Sequence, residues 1–159
     1  MGKLLNWIRD EYDNPIVFVT ENGVSDKGGI NDVKRVEYFN SYLSSILEAI
    51  KDGCNVKGYI AWSLMDSYEW KAGFTEKFGL FSVDFAHPNK TRTAKMSALV
   101  YKHIVETNEI DTDYRPNMKS RDPIHSSHTS DDASGVSGQN SFKINLSIIF
   151  VSFICIYFQ

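Results

Sequence analysis

The chain has 159 residues, a formal net charge of −3 and an apolar fraction of 42%, which suits one modest globular domain. Its lysines and arginines form no stripe interleaved with aromatics, so nucleic acid is not an expected partner. Cys54 and Cys155 lie in segments of different composition, and no histidine cluster has ligand spacing; neither a disulfide framework, a metal nor another cofactor is expected.

Leu4, Leu5, Ile8 and Tyr12 recur at helical spacing and predict a short amphipathic helix over 3–12. There is no continuous apolar core before Arg9, Asp10 and Glu11, unlike a secretory leader. Asp13-Asn14-Pro15 ends the helix and hands over to Ile16-Val17-Phe18-Val19, a short β-branched run that reads as a strand buried on both faces of a parallel sheet. Thr20-Glu21-Asn22-Gly23 follows at its C-terminal end. After a polar loop over 25–29, Asn31 or Asp32 is placed to cap a longer helix. The apolar face of that helix is Val36, Phe39, Leu43, Ile46, Leu47 and Ile50, and Gly53 terminates it. A second apolar run over 56–64 completes a strand–helix–strand unit of α/β class. A long loop over 65–77 precedes the apolar stretch 78–84. A last helix is expected over 94–106, with Met96, Leu99, Val100, His103 and Ile104 on one face.

Residues 1–114 therefore read as the folded part. Residues 115–143, rich in Ser, Asp, Gly, Asn and Pro without periodicity, are expected to be a disordered polar linker. Residues 144–158 are almost wholly apolar and fall short of the ~20 residues that span a bilayer. They fit the tail of a lipid-anchor attachment signal, with Ala133-Ser134-Gly135 as the small triplet and 136–143 as the spacer. A short membrane anchor and a translated remnant are the other readings. Membrane attachment at the cell surface, or secretion, is the expected location, and the cytoplasm the alternative.

The second run continues as Gly58-Tyr59-Ile60-Ala61-Trp62-Ser63-Leu64-Met65-Asp66-Ser67-Tyr68-Glu69-Trp70. An indole face packs well on the C–H face of a pyranose, while a carboxylate takes strong charge-assisted hydrogen bonds from adjacent hydroxyls. The plainer reading is that the tryptophans only fill space at a barrel rim. Glu21 is similarly ambiguous: a carboxylate ending a strand is either solvated or, at the C-terminal face of a parallel barrel, catalytic.

Thr20-Glu21-Asn22-Gly23, then Gly58-Tyr59 through Glu69-Trp70, Gly73-Phe74 and Phe78-Gly79-Leu80, resemble in order and spacing the C-terminal end of a family 1 glycoside hydrolase. This is the family of β-glucosidases, lactases and myrosinases. The likeness runs from about Leu4 to about Tyr114. It implies the C-terminal portion of a (β/α)8 TIM barrel, about its last two βα units, and a β-glycoside as substrate. By that resemblance Glu21 is the catalytic nucleophile, Trp62 the platform beneath the sugar, and Glu69 the acceptor of two sugar hydroxyls. Trp70 would bind a third hydroxyl through its indole N–H, and Phe78 would line the site. Phe74 stands where the family usually has tyrosine, and Lys77 where it has arginine, departures that tune the rim.

Retaining hydrolysis needs two carboxyl groups about 5–5.5 Å apart, one as nucleophile and one as acid/base. In the family the second sits in an Asn-Glu-Pro motif on the fourth strand, to which nothing here corresponds. Thr107-Asn108-Glu109-Ile110 lacks the proline and a preceding buried strand, and is rejected. A complete barrel needs about 250 residues. The chain is therefore expected to be a fragment or alternative product, inactive without the missing barrel portion. A non-catalytic, klotho-like membrane-associated binding module is the alternative, which retention of Glu21, Trp62 and Glu69 disfavours. Asn89-Lys90-Thr91 fits the N-glycosylation pattern, as does Asn145-Leu146-Ser147 inside the apolar tail, where modification is not expected.

Overall fold

The computed structural model describes residues 1–118. In chain order they form α1 (Gly2–Glu11), β1 (Val17–Asn22), α2 (Val33–Lys51), β2 (Val56–Ala61), a 3₁₀ turn (Trp70–Ala72), β3 (Phe81–Val83), β4 (Arg92–Ala94) and α3 (Met96–Thr107). The linker expectation for 115–143 falls outside the described residues from 119 onward, and that for 144–158 does so wholly. Among the described residues no helix is long and apolar enough to cross a membrane.

α1 buries Leu5 and packs against α2, where the Gly2 amide donates to Ser45 Oγ at 3.0 Å. Asp13 and Asn14 then adopt left-handed φ values of 55° and 50°, a conformation Asn and Asp tolerate better than most residues. The Asn14 side chain does more than break the helix. Its Nδ2 donates to Gly53 O at 3.0 Å, and its Oδ1 accepts from Asn55 N at 3.1 Å. This ties the entry to β1 to the entry to β2.

β1 and β2 run parallel in a two-stranded sheet, with Val17 opposite Val56, Phe18 opposite Gly58, Val19 opposite Tyr59 and Asn22 opposite Ala61. Among the described residues there is no closed barrel; the unit is a partial α/β piece. One face of this sheet meets the helices. Phe39, Leu43, Ile46 and Leu47 of α2, Val100, Tyr101 and Ile104 of α3, and Val19, Val56 and Tyr59 of the strands form one core. Each large aliphatic side chain fully buried there contributes about 1.5–3 kcal/mol. The opposite face differs from expectation: Ile16 is 63% exposed and Phe18 60%. The apolar run is covered on the helix side only, because no described element packs on the other.

β2 also ends earlier than the apolar run predicts, at Ala61. Beyond the cis Trp62–Ser63 peptide, the backbone changes partner from β1 to 78–81. Ser63 N donates to Phe78 O (3.2 Å), Leu80 N to Ser63 O (2.8 Å) and Phe81 N to Leu64 O (2.9 Å). β3 returns antiparallel through β4, Phe81 facing Ala94 and Val83 facing Arg92. The sequence did not announce β4, since three residues with two polar side chains carry no alternation. Of the two capping candidates, Asp32 occupies the N-cap of α2, yet its carboxylate serves α3 instead. Oδ1 accepts from Ser97 N at 2.9 Å and Oδ2 from Ser97 Oγ at 2.6 Å.

Candidate active site

Glu21 is the penultimate residue of β1 and is exposed to solvent. Its neighbour Asn22 has both ends of its amide engaged away from the rim. Nδ2 donates to Tyr38 Oη on α2 (3.0 Å), and Oδ1 accepts from Tyr59 Oη on β2 (2.8 Å). The Asn22 carbonyl also accepts from Trp62 N at 2.8 Å. One residue thus joins the tip of β1 to β2 and to α2. Gly23 permits the approach: a Cβ there would lie 1.7 Å from Trp62 O, so no side chain fits.

The phenols beneath are held in their neutral form, Tyr59 donating to Asn22 and Tyr38 accepting from it. Tyr59 is fully buried, and burial raises its pKa far above the usual phenol value, with Tyr101, Tyr38 and Tyr42 adding to the rise. Burial, followed by the neighbouring Tyr42 on which its ring stacks at 4.1 Å, raises Tyr38 as well. Burial also pushes Tyr101 up to about 12. A phenol that stays protonated can keep donating to an amide oxygen.

The loops after β1 and β2 are joined by a short antiparallel bridge. Asp26 N donates to Lys77 O and Lys77 N to Asp26 O, both at 3.0 Å. Below them lies Arg35, wholly buried at the start of α2. Its Nη2 reaches Lys77 O at 2.5 Å and Asp26 Oδ2 at 2.7 Å; Nε and Nη2 both lie 3.3 Å from Val24 O; Nη1 pairs with Asp32. A guanidinium's fixed fork suits this kind of multiple acceptor set. Outside, Lys27 pairs with Glu76, and that hydrogen bond, with one from Ser25, holds the Glu76 carboxyl below its usual range. A second buried pair, Lys95 Nζ to Asp66 Oδ1 at 2.8 Å, fixes the return of the β2 loop. The same Asp66 oxygen accepts from Gly79 N at 3.0 Å.

The rim therefore brings together three of the five expected site residues through the backbone. Glu21 and Trp62 each adjoin the Asn22–Ala61 pair, and the Phe78 carbonyl bonds to Ser63, next to Trp62. Glu69 and Trp70 lie farther along the loop that follows β2. Glu69 Oε1 accepts from Ser67 Oγ at 2.8 Å, and its amide donates to Gly73 O at 2.7 Å. Trp70 has a left-handed φ of 47° and is 86% exposed. The residues that organise the rim, Asn22, Arg35, Tyr38 and Tyr59, were not singled out by sequence reasoning. The one local hint was Asp32 three residues before Arg35, a spacing that pairs charges on a helix. Glu109 is placed where the sequence argument left it, after α3, whose C-cap Asn108 takes a left-handed φ of 56°. Among the described residues no group of three or more His, Cys, Asp or Glu is arranged to hold a metal ion.

The parallel β1–α2–β2 unit, with Glu21 at the end of β1 and Trp62 just after β2, has the arrangement of the βα units of α/β barrels. The profile of glycosyl hydrolase family 1 matches residues 1–110, and the chain belongs to that family. It is 43% identical over 108 residues to Myrosinase 1 of Brevicoryne brassicae, a match covering 67% of this chain and 23% of that protein. It is 41% identical over 108 residues to human lactase/phlorizin hydrolase, covering 67% of this chain and 6% of that one. Among solved structures, the family 1 β-glucosidase of the fungus Humicola insolens in complex with glucose superposes with a TM-score of 0.63 at 41% identity, over 66% of this chain and 24% of that one. The chain thus spans less than a quarter of the length of these relatives.

Proposed function

We propose that this chain carries the nucleophile and the sugar-holding rim of a retaining β-glycosidase acting on β-glucosides or β-galactosides. Glu21 attacks the anomeric carbon and Trp62 underlies the pyranose. Glu69 accepts hydrogen bonds from two hydroxyls, the Trp70 indole donates to a third, and Phe78 lines the pocket. The observation that carries the reading is the pairing of Asn22 with Ala61, which seats Glu21 and Trp62 at adjoining strand ends. The glucose bound to the Humicola insolens relative supports a glucoside as the substrate class.

Among the described residues no second carboxyl stands in a position to serve as the acid/base. Glu109 sits beyond α3, and Glu69 is committed to the sugar-binding loop. Without an acid/base partner for Glu21, neither protonation of the leaving oxygen in the first step nor activation of the attacking water in the second proceeds at a useful rate. The 159-residue polypeptide alone therefore hydrolyses nothing. Purified chain incubated with an aryl β-glucoside gives no release of the phenol above the uncatalysed rate. Turnover that disappears in Glu21→Gln would show that the chain is an enzyme in its own right.

A further inference from the structure

We infer that Asn89 is an acceptor for an N-linked glycan, presented on the hairpin turn between β3 and β4. Asn89-Lys90-Thr91 has the acceptor pattern with lysine, not proline, in the middle. All three residues are exposed and lie outside the strands, which end at Val83 and resume at Arg92. The turn holds itself without the acceptor side chain. Asp84 Oδ1 accepts from Ala86 N (3.0 Å) and His87 N (3.1 Å), Lys90 N donates to His87 O (2.9 Å), and Asp84 N donates to Thr91 O (2.9 Å) to close the hairpin. Asn89 joins through its backbone, donating to His87 Nδ1 at 3.2 Å, and its side-chain amide has no hydrogen-bond partner among the described residues. Lys90 at φ 47° bends the chain between Asn89 and Thr91. A bulky, solvated sugar chain is thus accommodated with no bond of the fold given up.

In the transfer, the Asn89 amide nitrogen forms a C–N bond to the anomeric carbon of a lipid-linked oligosaccharide diphosphate. The C–O bond to the diphosphate breaks, the lipid diphosphate leaves, and the amide nitrogen gives up one proton. This commits the chain to the lumen of the secretory route, the compartment the lipid-anchor reading of 144–158 also calls for. It stands independently of the glycosidase proposal, since the turn carries none of the five site residues.

The full 159-residue chain, fused to a cleavable leader, is translated with endoplasmic-reticulum microsomes, and only the protease-protected fraction is analysed. An Asn145→Gln background removes the tail sequon from the result. The expected outcome is a mass gain of one glycan, reversed by an amidase that releases N-glycans and mapped to Asn89. It is lost in Asn89→Gln and Thr91→Ala and kept, fully or in part, in Thr91→Ser. Addition accompanies translocation, so a variant that folds poorly still reports. Protected chain with Asn89 unmodified, or a gain that survives Asn89→Gln, overturns the inference.

Discussion

At the scale of single residues, Gly23 shows how the fold leaves no slack beside the candidate nucleophile. An added Cβ meets a backbone carbonyl, Trp62 O, at 1.7 Å, and that carbonyl cannot swing aside like the end of a flexible side chain. Gly23→Ala must part the tips of β1 and β2, disturbing the bond from Trp62 N to Asn22 O. The expected cost is about 1–3 kcal/mol or more, the range for forcing atoms into a filled site. Urea unfolding measures it, with a shift in tryptophan emission reporting a moved Trp62. An unchanged midpoint would mean the strand ends do not meet this closely. Asn22 belongs to the same scale. Lying between Glu21 and Gly23 in the sequence, it invites reading as a sugar contact, yet its amide is spent on Tyr38 and Tyr59. Sequence alone could not have told which, because both tyrosines are distant in the chain.

At the scale of elements, the helices hold the rim from beneath. Arg35 belongs to α2, but its partners lie in the loops after β1 and β2, so removing it leaves Asp26 and Asp32 without their cation. Arg35→Met is expected to cost about 3–5 kcal/mol, as for breaking a buried ion pair from one side. A loss under about 1 kcal/mol in the urea midpoint would contradict a structural role for the cluster. α3 supplies a pH dependence. Tyr101 rises from 10.0 unfolded to about 12 folded, because burial disfavours its phenolate. A raised folded pKa means the folded state holds its proton more tightly. The associated stability is fully present below about pH 10 and is lost as pH climbs through about 12. Tyr59 acts in the same direction. Urea midpoints measured across that window should fall steadily; a flat profile would show that the tyrosines lie open to solvent.

Periodicity made these elements legible. Val36, Phe39, Leu43, Ile46 and Leu47 face the core as their spacing requires, and the Asp13-Asn14-Pro15 break falls between α1 and β1. What periodicity could not carry was long-range polar pairing. Asp32 reads locally as the cap of its own helix, whereas its carboxylate is drawn to Ser97, and that pairing exists only after the chain has folded. The same limit hid the exchange of partners after Ala61, since an unbroken apolar run does not reveal which strand it pairs with.

At the scale of the whole molecule, the sheet is finished on one side only. Among the described residues the helix face is packed, Ile16 and Phe18 stand exposed on the other, and β1 and β2 pair only with each other. A parallel sheet is normally covered on both faces. The recognised motifs lie at the end of β1, along β2 and in the loop that follows it, so family membership is legible from a short stretch even though the described residues form no closed barrel.

In the proposed role, Glu21 forms the glycosyl–enzyme bond once a full barrel surrounds it. The direct measurement replaces the matching C-terminal part of Brevicoryne brassicae Myrosinase 1 with residues 1–114 of this chain. The chimera is treated with an activated 2-deoxy-2-fluoroglucoside and mapped by mass. That role predicts one covalent sugar on the peptide containing Glu21, absent in Glu21→Gln. An adduct on another residue, or one that persists in Glu21→Gln, contradicts it.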